Sequence, residues 1–221
     1  MDIINNNSYY ITVDKYKTRQ LFMETQFKKH GMKVKKFTGV NKNTLQVEYF
    51  IKHGYINLPF KIKKSRLGSM SCLLSHILLY QKILSENKNN NKETFLIFED
   101  DAIILPHFKK KLCFYLTKIP KNWDMVWLGY NNVYGKLVNP YFYKPLGNIN
   151  DHNSQHHCYL IKKSSIKKIL NVLLPINFIR NIPKDSHLKN NFHKFNAYFL
   201  NDKLALQNMN FISMRTGKKN G

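Results

Sequence analysis

Three consecutive acidic residues, Glu99, Asp100 and Asp101, stand directly after an apolar stretch at residues 95–98. A short apolar stretch of this kind is typical of a buried strand in a parallel sheet. In an open α/β sheet, ligands bind beyond the carboxyl ends of the strands, which is where these acids would lie. Like charges packed there are costly unless a cation offsets their repulsion.

Oxygen ligands of this kind are the ones that Mg²⁺ and Mn²⁺ prefer, and both ions commonly bind together with phosphates. The same three residues would also suit a solvated acidic turn that closes a strand, because short acidic runs are common. The spacing alone leaves both interpretations open.

The composition indicates one globular domain. The chain has 221 residues, of which 43% are hydrophobic and 14% aromatic, so it can bury a substantial core and is not a disordered polymer. Its cysteines, Cys72, Cys113 and Cys158, are spaced for neither a disulfide framework nor a zinc site. The sequence shows no signal peptide and no stretch long enough to span a bilayer. We therefore expect a soluble, cytoplasmic protein with reduced thiols.

The formal net charge of +23 is an unusual property of this chain. A strongly basic protein attracts anions such as nucleotides, nucleic acids, acidic glycans or membrane surfaces. The accompanying excess of asparagine and isoleucine suits the A/T-rich genome of a microbe or a large DNA virus, which would place lysines on solvated faces without a functional reason. We favour this second explanation because the lysines are scattered rather than interleaved with aromatic residues.

Hydrophobic patterning predicts alternating strands and helices. The predicted strands cover residues 9–13, 32–40, 95–98, 123–129 and 158–161. The predicted helices cover residues 16–30, 68–84, 106–116 and 164–174. Residues 41–68 contain glycine, proline and a basic run and are expected to be irregular. The alternation predicts a three-layer α/β domain.

Several short sequence motifs follow one another along the chain. They comprise residues 11–14 with Arg19, and then residues 37–41, 68–76, 96–102, 123–129, 157–163 and 183–188, with Gln207 last. The most specific are the string from Cys72 to His76 and the string from Glu99 to Ala102. In this order they resemble glycosyltransferase family 25, which includes lipooligosaccharide and procollagen galactosyltransferases, over about residues 9–208.

The resemblance implies a GT-A-type, Rossmann-like α/β/α domain with a mostly parallel sheet over residues 9–208, with flexible termini at 1–8 and 212–221. It also implies an inverting transfer of a hexose, galactose or glucose, from a UDP-sugar with the help of Mn²⁺ or Mg²⁺. The acceptor would be a hydroxyl of a glycan or of hydroxylysine in a protein.

The resemblance also implies roles for individual residues. The metal would be held by Glu99 and Asp101, with His187 as a third ligand or a diphosphate contact. Asp185 would be the base that takes the proton from the acceptor hydroxyl. The residues expected to contact the donor are Thr12, Val13, Arg19, Ser75, His76, Asp100 and Gln207.

Several of these donor-site residues have structural alternatives. Asp100 could cap its turn, Arg19 could be an exposed helix residue, and His76 could be a core histidine that holds helix to sheet. For Gln207, a nucleotide role and an acceptor role stay open. His152, His156 and His157 flank Asp151 in a predicted loop, where contact with the acceptor or with solvent is favoured over metal binding.

Two other classes of function stay open at this point. A basic nucleic-acid-binding protein or metal-dependent nuclease would use the same acids for a metal and the lysines for phosphates. A glycosyltransferase fold that has lost its activity and serves as a binding module is the other possibility.

Overall fold

The computed structural model describes residues 6–57, 62, 64–86, 93–146, 157–177, 188 and 190–212. Its strands are β1 Ser8–Thr12, β2 Lys35–Thr38, β3 Thr94–Glu99, β4 Ala102–Ile104, β5 Met125–Gly129, β6 Gly135–Asn139, β7 Phe142–Pro145, β8 Cys158–Lys162, β9 Ala197–Leu200 and β10 Ala205–Gln207. Its α-helices are α1 Lys17–Lys29, α2 Val47–Lys52, α3 Leu67–Glu86, α4 Phe108–Leu116 and α5 Lys163–Leu173. Short 3₁₀ turns occur at Lys64–Arg66 and Phe192–Lys194.

The described strands form one large sheet and a small two-stranded ribbon. The order in the large sheet is β2-β1-β3-β8-β5-β9-β7-β6, and the ribbon pairs β10 with β4. β1 pairs in parallel with both β2 and β3, and β5 pairs in parallel with β9. β8 and β7 run against their neighbours. Because these two strands alone are reversed within the described sheet, most of its strands point the same way.

Alternating side chains of the strands enter two separate cores. On β3, Phe95 and Ile97 face one core, whereas Leu96 and Phe98 face the other. The first core is closed by α3 and α5, and the second by α1 and α4. Helices on both faces of a sheet that is hydrophobic on both sides define a three-layer α/β/α domain. The predicted fold class is therefore confirmed.

The structure corrects the sequence-based assignment in two regions. Residues 41–68 were expected to be irregular, but they contain α2, which buries Phe50. The strand predicted for residues 32–40 covers only Lys35–Thr38. The hairpin of β6 and β7 and the strands β9 and β10 were not predicted. β6 is mostly exposed and β10 has three residues, so neither carries a clear apolar alternation.

None of the described helices is both long enough and apolar enough to cross a bilayer.

Asp124 joins three elements at the start of β5. This aspartate is buried, and its carboxylate accepts hydrogen bonds from Ser165 Oγ at 2.5 Å, Lys168 Nζ at 2.7 Å and the backbone N–H of Asn196 at 2.7 Å. Ser165 and Lys168 lie on α5, and Asn196 directly precedes β9. The carboxylate thus fixes the helix and two neighbouring strands to one another.

We expect Asp124→Ala to lower the free energy of unfolding by about 2–3 kcal/mol, because it leaves a buried N–H and a lysine without their acceptor. Asp202 is a matched control: it also accepts from a lysine and a hydroxyl, Lys111 and Tyr115, but half of its side chain is exposed. Asp202→Ala should cost less than about 1 kcal/mol. Urea denaturation of both variants measures the difference, and equal losses would contradict the role given to Asp124.

Candidate active site

The acidic residues lie at the carboxyl end of β3, as the sequence predicts. Glu99 ends β3, Asp100 and Asp101 form the following turn, and β4 starts at Ala102. The parallel pairing of β1 with β3 places Ile11 beside Glu99, so Thr12 at the end of β1 lies next to the turn. The acids therefore lie at the edge of the sheet where an α/β fold binds its ligands.

Asp100 is held in place by one contact with β1 and one with α1. Its carboxylate accepts a hydrogen bond from Thr12 Oγ1 at 2.7 Å and forms an ion pair with Arg19 Nη1 at 2.5 Å. The Asp100 side chain is almost fully buried. These contacts agree with the alternative in which Asp100 fixes the turn, while its predicted contact with the donor stays a prediction.

Arg19 is buried on α1 and is not an exposed helix residue. Besides the ion pair with Asp100, its Nη2 donates to the carbonyl of Ile212 at 2.8 Å. Its guanidinium carbon lies 4.9 Å from the centre of the Phe211 ring. Arg19 thus connects α1, the acidic turn and the segment that follows β10.

Asp101 is bound by the β4–β10 ribbon. Gln207 lies opposite Ala102 in this ribbon, and its Nε2 donates to Asp101 Oδ2 at 3.0 Å. The backbone N–H of Asn208 donates to the Asp101 carbonyl at 2.7 Å. The other carboxylate oxygen, Oδ1, is buried and accepts no hydrogen bond from any residue that the structure describes.

His76 connects the acidic turn to the core. It lies on α3, and its Nε2 is 3.0 Å from Glu99 Oε1, while its Nδ1 is 2.7 Å from the hydroxyl of Tyr159. Because an ionised carboxylate can only accept, Nε2 carries the proton, and in the neutral imidazole Nδ1 accepts from Tyr159. The Tyr159 hydroxyl also contacts that of Tyr80, at 2.8 Å.

The contacts of His76 fit the alternative of a core histidine that holds helix to sheet. A direct contact between His76 and the donor stays a prediction.

Ser75 and the end of β1 have contacts within the protein. Ser75 Oγ donates to the Ser71 carbonyl at 2.6 Å and accepts from the Val40 N–H at 2.8 Å. The carbonyl of Thr12 accepts from Gly39, and that of Val13 accepts from Tyr16. A nucleotide contact by Ser75, Thr12 or Val13 stays a prediction.

Burial and mutual repulsion make these acids hard to ionise. Burial raises the pKa of Asp100 to about 6; Arg19 opposes this rise, and the charge of Asp101 adds to it. Burial and then the charge of Glu99 raise the pKa of Asp101. Arg19 Nη1 lies 2.5 Å from the Asp100 carboxylate and 4.0 Å from that of Asp101, whereas the Glu99 carboxylate lies 3.0 Å from His76 Nε2. A bound cation would relieve this repulsion.

The donor atoms at the turn fit a hard divalent cation. Glu99 and Asp101 offer carboxylate oxygens, and Asp101 Oδ1 is a buried acceptor without a donor in the described chain. Mg²⁺ and Mn²⁺ prefer oxygen ligands of this type. Cys72, His76 and Glu99 form another group, with one ligand atom from each within 4.8 Å of the others, but its sulfur and nitrogen atoms suit zinc better.

Some predicted residues lie outside the described residues. Asp185 and His187, and also His152 and His156, are among them. His157 is described, and the expectation of a solvated loop is wrong for it: it is buried directly before β8, where Nε2 lies 3.2 Å from the Ala205 carbonyl. A Cβ added to Gly129 would lie 2.7 Å from its ring, which shows how tightly β5 packs against this histidine.

The sequence did not indicate Tyr159, Tyr80 and Phe211 as neighbours of the site. They stand far along the chain from the acids, and their aromatic character equally suits a core. The pairing of β4 with β10, which brings Gln207 to Asp101, likewise has no local signal.

Comparison with known proteins identifies the family. Residues 5–207 match the model of Glycosyltransferase family 25 (LPS biosynthesis protein), and the chain belongs to this family. A relative from Aedes aegypti, described as a glycosyltransferase 25 family member, is 25% identical over 128 residues, which are 55% of this chain and 20% of that protein. The chain thus spans about a fifth of the length of this relative.

Solved structures with a similar arrangement are more distant. A197 from STIV has a TM-score of 0.46 at 12% identity, with 88% of this chain and 81% of that chain covered. A glycosyltransferase involved in glycosylation of the major capsid of PBCV-1 has a TM-score of 0.36 at 10% identity, covering 75% and 64%. The inositol-1-phosphate CTP transferase from T. maritima has 0.41 at 11%, covering 89% and 67%. Similarity at this level does not identify a ligand for this chain.

The raised pKa of Asp100 leads to a pH dependence of stability in the metal-free protein. Because its pKa of about 6 lies above the ordinary value of 3.8, the folded chain binds this proton more tightly than the unfolded chain. The free energy of unfolding should therefore fall as the pH rises from about 4 to about 6. Asp100→Asn should remove a fall of about 2–3 kcal/mol over this range, measured by denaturation in the presence of a chelator.

The control for this experiment is Asp202→Asn, because its exposed carboxylate has a lowered pKa, first through its hydrogen bond from Lys111. Because the pKa of Asp202 is lower in the folded chain than in the unfolded chain, its ionised carboxylate stabilises the fold at a pH above the unfolded-state pKa. This stabilisation is lost as the pH falls. Asp202→Asn should therefore remove a rise in the free energy of unfolding with increasing pH, whereas Asp100→Asn should remove a fall. An unchanged pH profile in Asp100→Asn would contradict the assignment.

Proposed function

We propose that this chain transfers a hexose from a UDP-sugar to a hydroxyl group, with inversion at the anomeric carbon and with Mn²⁺ or Mg²⁺ held by Glu99 and Asp101. The observation that carries this proposal is the buried Asp101 Oδ1, which lacks a donor among the described residues and lies in a cluster of acids in a member of glycosyltransferase family 25. A divalent cation at the acidic turn would offset the repulsion between these carboxylates and could bind the diphosphate of the donor at the same time.

The order of the strands supports a division of the site into two sides. β1 and β2 lie on one side of β3, and β8 and β5 lie on the other. The residues predicted to contact the nucleotide, Thr12, Val13 and Arg19, lie at the end of β1 or just after it. The nucleotide would therefore bind over the β1 side, and the transferred sugar would point towards β8 and β5.

In this proposal the three acids have different roles: Asp100 orients the turn, and Glu99 and Asp101 hold the cation. Asp100 uses its carboxylate to bind Thr12 and Arg19, and this contact orients the turn so that Glu99 and Asp101 can hold the cation. The cation, when bound, would neutralise the diphosphate and stabilise the charge that develops on the leaving nucleotide. Gln207 and His76 keep the Asp101 and Glu99 carboxylates in position through hydrogen bonds.

The proton of the acceptor hydroxyl needs a base in an inverting transfer. We propose Asp185 for this role: its carboxylate would take the proton as the acceptor oxygen bonds to the anomeric carbon and the bond to the diphosphate breaks. His187, two residues later, is proposed as a further metal or diphosphate contact.

The proposal also names the transferred sugar and the acceptor. We propose galactose or glucose as the transferred hexose. The acceptor would be a glycan, for which the description of the family as LPS biosynthesis proteins gives support, or a hydroxylysine side chain in a protein.

The charge of +23 favours one competing function. A nucleic-acid-binding protein or nuclease would bind polynucleotides tightly and with a steep dependence on salt, and it would not respond to UDP. A family member that serves only as a binding module would show no transfer even with metal and donor bound.

Asp101→Ala tests the metal and donor site. We expect the wild-type protein to bind UDP only in the presence of Mn²⁺, and the variant to lose at least about ten-fold in affinity, because it lacks a metal ligand. Isothermal titration calorimetry at moderate salt, with and without Mn²⁺, measures this loss. A thermal melt shows whether the variant stays folded.

Glu48→Ala is the matched control for this titration, since Glu48 is an exposed acid in the first turn of α2 and is not among the residues proposed to hold the metal or the donor. It should bind UDP like the wild-type protein. UDP binding that needs no metal, or that survives in Asp101→Ala, would contradict the assignment. Absence of UDP binding together with tight polynucleotide binding would favour the nucleic-acid function.

Asp185→Asn tests the base separately from binding. Loss of a general base should lower the rate of transfer by about 10²–10⁴-fold, while UDP and Mn²⁺ still bind as in the wild-type protein. Donor turnover and calorimetry on the same preparation provide the two readouts. Transfer at the wild-type rate would show that another group accepts the proton.

A further inference from the structure

A groove of about 520 Å³ opens beside the carboxyl end of β5. We call it the β5 groove; its walls include Tyr130, Asn131, Asn132, Tyr134, Tyr143 and Lys203. None of these residues belongs to the acidic turn or to the predicted donor site. The groove is therefore a separate feature of the same edge of the sheet.

Two structural relations place the β5 groove close to the acids. β8 alone separates β3 from β5, so these strands lie about 10 Å apart. Lys203 in the groove wall and Gln207, which binds Asp101, are four residues apart, so their Cα atoms lie no more than about 13 Å from each other. Both relations leave room for one sugar unit between the acidic turn and the groove.

The groove lies on the opposite side of the acids from the predicted nucleotide contacts. Thr12 at the end of β1 marks the nucleotide side, and Tyr130 directly after β5 marks the groove side. A donor that extends from β1 across the acidic turn would point its sugar at the groove. This is the position that an acceptor must occupy to receive the sugar.

The walls of the groove have the chemistry that binds sugars. Aromatic rings offer flat apolar surfaces with polar edges, and the amides of Asn131 and Asn132 can both donate to and accept from hydroxyl groups. Tyr134 is 55% exposed, so its ring is accessible to a ligand. Tyr130 is buried and donates its hydroxyl proton to the Leu200 carbonyl at 2.8 Å, which makes the inner wall rigid.

Lys203 adds a positive charge to this groove. Its Nζ donates to the Asn131 carbonyl at 2.7 Å and lies 4.6 Å from the centre of the Tyr130 ring. No carboxylate of the described residues lies within ion-pairing distance of it, and the adjacent Asp202 is bound to Lys111 and Tyr115 on α4. The ammonium has three N–H donors, and the contact with Asn131 uses one. Partial burial lowers the pKa of Lys203, so a bound anion would be favourable there.

We propose that the β5 groove binds the acceptor and that Lys203 selects acceptor glycans that carry an anionic sugar unit. The inference rests on the proposed function, because it gives the groove its role in the transfer. The anion can be the carboxylate of a uronic acid or a phosphate ester of a sugar, since both pair with an ammonium group. The aromatic and amide walls bind the sugar itself, and the lysine discriminates between charged and neutral units.

Binding of simple glycosides without any nucleotide tests the inference directly. The probes are methyl β-glucuronide, methyl β-glucoside and glucose 6-phosphate; the first two differ only in carrying a carboxylate or a hydroxymethyl group. Titrations followed by NMR should show both anionic probes binding at least about three-fold more tightly than the glucoside. The preference should weaken as salt is raised.

Two variants distinguish the contribution of the Lys203 charge from that of the Tyr134 ring. Lys203→Gln keeps a donor for Asn131, and it should abolish the preference for anionic probes while binding of the glucoside persists. Tyr134→Ala should weaken binding of all three probes. Lys144→Gln is the control: it removes an exposed lysine from the neighbouring β7 that is not part of the groove wall, and it should leave the preference unchanged.

Equal affinity of the wild-type protein for the glucoside and for both anionic probes, or an unchanged preference in Lys203→Gln, would overturn the inference. So would the lack of any binding at tens of millimolar probe. A preference for glucose 6-phosphate alone would assign the anion to a phosphate ester. The Mn²⁺-dependent binding of UDP, measured on the same samples, tests the donor site on its own, so a failure of the groove is distinguishable from a failure of the proposed function.

Discussion

The buried ion pair between Asp100 and Arg19 is the interaction on which the arrangement of the site depends. It neutralises one of three adjacent carboxylates and leaves Glu99 and Asp101 with their mutual repulsion. Removal of either partner would leave an unpaired charge in the protein interior, which is a costly outcome. The ion pair therefore offsets part of the cost of burying the acidic turn, and it engages the carboxylate of Asp100 more closely than that of Asp101.

The rest of the domain serves to bring four chain segments to this ion pair. β1 supplies Thr12, α1 supplies Arg19, the turn after β3 supplies Asp100, and the segment after β10 supplies the Ile212 carbonyl. The parallel pairing of β1 with β3 sets the relation between the first and third of these. The two hydrophobic cores keep the helices against the sheet, so that Arg19 and His76 reach the turn from opposite faces.

Part of this structure could be predicted from the sequence because it has a local signal. The apolar runs before Glu99 and before Gly129 and the apolar positions of the helix with His76 are signals of this kind. The contacts between them have no such signal. The pairing of Gln207 with Asp101 joins residues 106 positions apart, and the choice of Asp100 as the partner of Arg19 depends on the register of β1 against β3. Sequence reasoning placed these residues in one site without showing which acid is neutralised.

The same limit applies to the groove beside β5. Tyr130, Asn131 and Lys203 have no special spacing in the sequence, and they come together because the segment between β9 and β10 passes beside the end of β5. The hairpin of β6 and β7 that follows the groove is largely exposed and was not predicted. Exposed segments of this kind carry little of the apolar patterning that sequence interpretation depends on.

The most direct test of the account is the position of the metal. Crystals grown with UDP and Mn²⁺ would locate the ion by its anomalous scattering. We expect an anomalous peak bound by carboxylate oxygens of Glu99 and Asp101, with Asp100 still paired to Arg19 and the diphosphate completing the coordination. A peak on Cys72 and His76 with no ligand from Asp101, or bound UDP with no metal at the acidic turn, would contradict it.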